Sequence, residues 1–213
     1  MRVDIWSDIV CPWCYIGNAR FSHALADFEH RDEVEVVPRS FELDPSIPEG
    51  RATPILDVLA GKYGMSQAQA QQAEARVAAL AEAEGLEFTA DRALGNTFDA
   101  HRLVHLGREH GAAKRVVREL YHAYFGEGRS VFDDDALVGL AAGAGLDPDG
   151  ARQALENGSY GDDVRADEDQ ARRLGITGVP FCVLDGKYGV SGAQPTEAFA
   201  QALRQAWDSQ SDR

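Results

Sequence analysis

The sequence predicts an α/β fold in which a small sheet is interrupted by a helical insertion. Three observations carry this prediction. A strand, the pair Cys11-Pro12-Trp13-Cys14 and a helix follow one another directly at the start of the chain. Strand signals then vanish from about residue 55 to residue 160, where capped helices succeed each other. A hairpin returns near the end of the chain, framed by two more helices.

The first strand rests on Val3, Ile5 and Ser7 alternating with Asp4 and Trp6. From Cys11 a helix is predicted to run through Tyr15 and Phe21 to about Phe28. Glu33 through Leu43 reads as the second strand, and Pro45, Pro48 and Pro54 rule out regular structure just after it. Within the insertion, helix starts are marked by Ser66 with Gln69, by Asn96 with Asp99, and by Asp133 before Ala136-Leu137-Val138. The Ala, Gln and Glu of residues 67–84 need no explanation beyond helix propensity. A helix from about Asp163 to Leu174 stops at Gly175. Val179 to Leu184 and Tyr188 to Ser191 then pair across a turn at Asp185-Gly186, and Pro195 opens a last helix towards Trp207. The expected division is residues 1–44 with 161–213 for the sheet, and 45–160 for the insertion.

Bulk properties narrow the function. With 44% hydrophobic and 26% charged residues the chain is an ordinary globular one. No apolar run approaches the roughly 18 to 20 residues that span a bilayer, so no membrane partner is expected. The 35 acidic against 21 basic residues, a formal charge of -14, would repel phosphate backbones and argue against nucleic acid. Arg2-Val3-Asp4-Ile5-Trp6 follows Met1 directly and leaves no room for an export leader, which predicts a cytoplasmic, reducing location. Three cysteines are too few for a disulfide scaffold, and two of them stand three apart.

That pair has a chemical use. The thiolate is the nucleophile of disulfide exchange, and a helix N-terminus stabilises it through unpaired amides and the dipole. Cys11 is placed to be the attacking thiolate and Cys14, one turn in, the resolving thiol. Pro12 suits a first turn, where it loses no amide bond, and Trp13 can shape the approach. Zinc is the competing use of CxxC, with His101 and His105 four apart on one helix face. Zinc modules keep their ligand pairs roughly 12 to 20 residues apart, a spacing that these residues far exceed, so no metal is expected. Pro180 at a strand entrance is compatible with a plain strand boundary. Cys182, beside Phe181, Val183 and Leu184, is expected to pack in the core. His101 reads equally as a cleft residue carrying protons and as a packed, hydrogen-bonded histidine. Asp8, Glu42 and Asp44 lie near strand ends; one of them could take the Cys14 proton, and capping or solvation accounts for them equally.

Strand, helix, strand, helical block, helix, hairpin, helix is the order of a thioredoxin-like sheet interrupted by a helical insertion domain. Cys11-Pro12-Trp13-Cys14-Tyr15-Ile16-Gly17, Asn96-Thr97-Phe98-Asp99-Ala100-His101-Arg102 and Gly175-Ile176-Thr177-Gly178-Val179-Pro180 resemble the DsbA-like family, in its FrnE-type branch. That branch neighbours the 2-hydroxychromene-2-carboxylate isomerases and kappa-class glutathione transferases. The resemblance implies a cis Val179-Pro180 bond facing the cysteines, and substrate contacts from Pro12, Trp13, Val179 and Pro180. It also implies a thiol-disulfide oxidoreductase without a tightly bound cofactor, working on a thiol- or disulfide-bearing protein or small molecule, with glutathione or an equivalent thiol as co-substrate. Monomer and dimer are both left open. A glutathione-dependent isomerase or transferase is the rival enzyme, disfavoured by the presence of both cysteines. A redox-inactive binding or chaperone module would leave CPWC without a purpose.

Overall fold

The computed structural model describes residues 1–211. The chain runs through β1 (Arg2–Ser7), α1 (Pro12–Ala26), a 3-10 turn at Arg31–Glu33, β2 (Glu35–Ser40), β3 (Thr53–Pro54), α2 (Ile55–Tyr63), α3 (Gln67–Ala83) and β4 (Ala93–Leu94). It continues through α4 (Phe98–Glu109), α5 (Ala113–Tyr121), a π-helical turn at His122–Gly126, α6 (Asp134–Gly143), α7 (Pro148–Glu156), α8 (Gly161–Arg173), β5 (Phe181–Leu184), β6 (Tyr188–Ser191) and α9 (Thr196–Ser211). This is the expected α/β order, a mixed sheet with helices inserted between its second and third strands.

The main sheet has the order β2-β1-β5-β6. β1 and β2 are parallel because α1 carries the chain back between them, whereas β5 and β6 form an antiparallel hairpin. At the hairpin tip Asp185 and Gly186 both take positive φ, 53° and 68°, as the Asp-Gly turn predicts.

β1 is more deeply set than its alternation suggests: Asp4 and Trp6 are buried along with Val3, Ile5 and Ser7. Val3 and Ile5 pack with Phe21, Phe199 and Leu203, while Trp6 packs against Ala171 and Ile176 and donates its indole N–H to Asp167 O at 3.0 Å. Both faces of the strand are therefore covered, and Asp4 is tolerated there because Arg39 Nε donates to it at 2.7 Å.

β2 is shorter than expected, beginning at Glu35 and ending at Ser40. The amides at its end and beyond it are taken by buried carboxylates: Ser40 N–H goes to Asp167 Oδ2, Glu42 N–H to Glu168 Oε1 and Leu43 N–H to Asp8 Oδ2. A second correction concerns the insertion, which contains a two-residue ladder pairing Thr53 with Leu94 and Pro54 with Ala93. Pro54 is tolerated because so short a ladder asks little of its missing N–H.

Ser66 and Gln69 form the expected capping box, and Asp133 caps α6 by accepting from Ala136 N–H. Asn96 behaves differently: Thr97 occupies the cap position of α4 without a side-chain bond, Asn96 Oδ1 accepts from Phe98 N–H, and Asp99 pairs with Arg102. The largest apolar core joins α4 to α7 and also takes in Ile9, Val10, Cys11, Cys14 and Tyr15. The two cysteines consequently lie where the insertion packs on the end of the sheet.

Candidate active site

The end of β1 and the start of α1 are shaped by local bonds. Cys11 is the N-cap residue of α1, in extended geometry, and Pro12 occupies the first turn as the sequence predicts. Cys11 N–H reaches back to Asp8 O at 3.3 Å, and Cys11 O accepts from both Cys14 N–H and Tyr15 N–H. Cys11 is 3% exposed and Cys14 1%.

The two sulfurs have opposite electrostatics. A hydrogen bond from Cys14, helped by the Cys14 and Trp13 amides, holds the Cys11 thiol below its ordinary value against burial and the Asp8 charge. Burial, followed by the bond to Cys11 and its charge, pushes Cys14 well up. The arrangement favours negative charge on the first sulfur and keeps the proton on the second.

Across from Cys11 lies the loop before β5. The Val179-Pro180 bond is cis, and Val179 O stands 3.7 Å from Cys11 Sγ as an acceptor for its thiol. Gly17 lets α1 approach this loop: a Cβ there would stand 3.0 Å from Pro180 Cγ and 3.4 Å from Ala193. Arg20 ties α1 to the loop after β6 by donating to Ala193 O, and to the end of α3 by donating to Glu84. Trp13, 44% exposed, flanks Cys11 on the open side.

That open side is a cleft of about 340 Å³ between the cysteine turn and α2, α3 and β4 of the insertion. Pro12 and Trp13 line it with Cys11, whereas Val179, Pro180 and His101 do not. His101 is buried beneath, with Nε2 3.3 Å from Asp8 Oδ1. Its neighbour on the helix face, His105, meets Ser40 Oγ and Asp167 Oδ2, so each histidine serves a buried polar junction. Cys182 lies in the core with Val3, Phe199 and Leu203, and burial pushes its thiol up to about 12.

Asp8 and Gly17 are the site residues that sequence reasoning undervalued. Asp8 is 1% exposed, and its backbone and carboxylate together tie Cys11, Leu43 and His101. Its only sequence signal is a position three residues before Cys11. For Gly17 the signal was a glycine inside a helix one turn beyond the motif, which marks a close approach.

The model of the DSBA-like thioredoxin domain matches residues 2–204. The chain belongs to the DSBA-like thioredoxin family. A solved structure from Streptomyces coelicolor, described as a probable DsbA oxidoreductase, is 57% identical, with 98% of this chain and 90% of that one covered and a TM-score of 0.94. A 2-hydroxychromene-2-carboxylate isomerase structure is 18% identical at a TM-score of 0.75, covering 100% of this chain and 98% of the other. The cytosolic disulfide reductase DsbM from Pseudomonas aeruginosa, solved with glutathione, is 17% identical at a TM-score of 0.65, with 96% and 98% covered. At such identities the last two speak for the fold alone. The DsbA-like family that the motifs implied is thus borne out by the match over residues 2–204.

Proposed function

We propose that the protein is a thiol-disulfide oxidoreductase working through Cys11 and Cys14. The observation that carries the reading is their asymmetry: one sulfur favoured as thiolate at a helix N-terminus, and a second one turn deeper that holds its proton. Cys11 thiolate attacks a substrate disulfide, one substrate sulfur leaves as thiolate, and a mixed disulfide forms. Cys14 then loses its proton to a departing substrate thiolate and attacks Cys11 Sγ, which closes Cys11-Cys14 and releases the second substrate sulfur as thiolate. The substrate gains two electrons and the protein loses two. Return to the dithiol needs an external dithiol or two equivalents of a low-molecular-weight thiol such as glutathione.

We place the work in the reducing cytoplasm. Against a glutathione poise of about -220 mV or lower, a strongly oxidising couple would be held as dithiol, which favours reduction or isomerisation of disulfides over their insertion. The test is Cys14→Ser. An oxidoreductase loses turnover and accumulates mixed disulfides on Cys11, visible by mass spectrometry. Full retention of a thiol-dependent isomerisation in that variant would instead support the glutathione-dependent isomerase.

A further inference from the structure

We infer that the cleft beside Cys11 is a binding site for a small, uncharged and largely apolar disulfide, which Cys11 and Cys14 reduce. The inference rests on the dithiol reading above and adds its substrate class.

The lining is apolar on several sides. Val10 and Trp13 come from the cysteine turn, Ile55 and Leu59 from α2, Val77 from α3 and Leu94 from β4. A volume of about 340 Å³ lies within the roughly 300 to 1,000 Å³ of small-molecule sites. The mouth is apolar too. Five large hydrophobic side chains stand exposed among the described residues, and three of them, Trp13 at 44%, Leu43 at 48% and Tyr63 at 63%, border this one cleft. Such clustering marks a binding surface where scattered exposure would not.

The charges disfavour ligands that carry several carboxylates. Lys62 and Arg92 are the cations that line the cleft, and each has its own counter-ion. Lys62 Nζ lies 2.8 Å from Asp44 Oδ2, and Arg92 Nη1 lies 2.6 Å from Glu74 Oε2. Arg92 is further held over the rings of Phe88, Tyr124 and Phe125. Asp8 adds a third carboxylate to the lining. Among the described residues that line the cleft no cation is left over to meet a ligand carboxylate, and the whole chain carries a formal -14. A disulfide bearing several carboxylates, glutathione disulfide included, would enter against this field, whereas a neutral apolar one loses water at no electrostatic cost.

In the reaction Cys11 attacks one sulfur of the apolar disulfide, the first half leaves as thiolate, and closure of Cys11-Cys14 expels the second; an added dithiol restores the protein. The experiment uses pre-reduced full-length protein in single-turnover mixing with four disulfides: dibenzyl disulfide, bis(2-hydroxyethyl) disulfide, glutathione disulfide, and a disulfide peptide with apolar flanks. Each rate constant is divided by that of free dithiothreitol with the same compound, which removes intrinsic leaving-group differences. Dibenzyl disulfide should exceed the other three by about 10-fold or more, as burial of an aryl ring allows. Val77→Arg, checked by circular dichroism, and the exposed rim change Tyr63→Ser should each lower that ratio. Dibenzyl sulfide, which has no bond to reduce, should inhibit competitively. Equal ratios, or preference for glutathione disulfide or the peptide, would overturn the cleft assignment and leave the dithiol couple standing. Failure to reduce any of the four would overturn the oxidoreductase reading itself.

Discussion

Cys11 and Cys14 are one helical turn apart and are pushed in opposite directions by their surroundings. Because Cys11 is lowered first by its bond from Cys14, alkylation of reduced protein by iodoacetamide should titrate at Cys11 below the free-thiol value of about 8.5. In Cys14→Ala that bond is gone, and the midpoint should move up. The Asp8 charge disfavours both thiolates, so Asp8→Asn should move the Cys11 midpoint down. A midpoint that stays put in both variants would show that neither group tunes the nucleophile. Cys182, buried and with its thiol held neutral, belongs to the packing: Cys182→Ala should cost about 1 to 2 kcal/mol, read as a lower Tm, with disulfide reduction intact.

The elements are held in register by close approaches and buried carboxylates. Gly17 is where α1 meets the loop carrying Pro180, so Gly17→Val forces the two apart. The expected result is a fall of about 10-fold in kcat/KM for disulfide reduction, since small displacements of reacting groups are costly, with Gly17→Ala between the two. Asp167 on α8 collects Arg39 Nη1, Arg108 Nη2, His105 and the Ser40 amide, tying β2 and α4 together. Burial works against its ionisation, but the His105 bond, Arg39, the Ser40 amide and Arg108 outweigh it and hold the carboxyl well below the usual range. A depressed carboxylate stabilises the fold above its unfolded value of about 3.9 and loses that contribution as pH falls below it. Asp167→Asn should therefore cost about 3 kcal/mol at neutral pH, and the Tm gap from wild type should narrow in acid. Much at this scale was legible: the Ser66 and Asp133 caps, the Asp185-Gly186 turn and the order of helices all come from local chemistry. The end of β2 was not, because Asp167, Glu168 and Asp8 reach its amides from more than thirty to more than a hundred residues away and leave no periodic trace.

Across the whole molecule, the insertion does more than lengthen the chain between two strands. Its core absorbs both cysteines and Tyr15, whose ring stacks on Phe125 at 4.9 Å, so the thiols sit at a seam between sheet and helices. The motif and the chemistry of a thiolate at a helix N-terminus could be read from Cys11 to Cys14 alone, whereas the proline loop facing them came with the family resemblance. The cleft could not, since Ile55, Val77 and Leu94 reach Cys11 only through tertiary packing. Equilibration of the protein in thiol-disulfide buffers of graded potential, with peptide mapping by mass spectrometry, tests the central claim most directly. The account predicts one reversible, two-electron Cys11-Cys14 disulfide with a midpoint between about -270 and -120 mV, and Cys182 reduced throughout. Cys11 and Cys14 remaining unlinked at every potential, or Cys11 ending as a stable adduct of the buffer thiol, would contradict it.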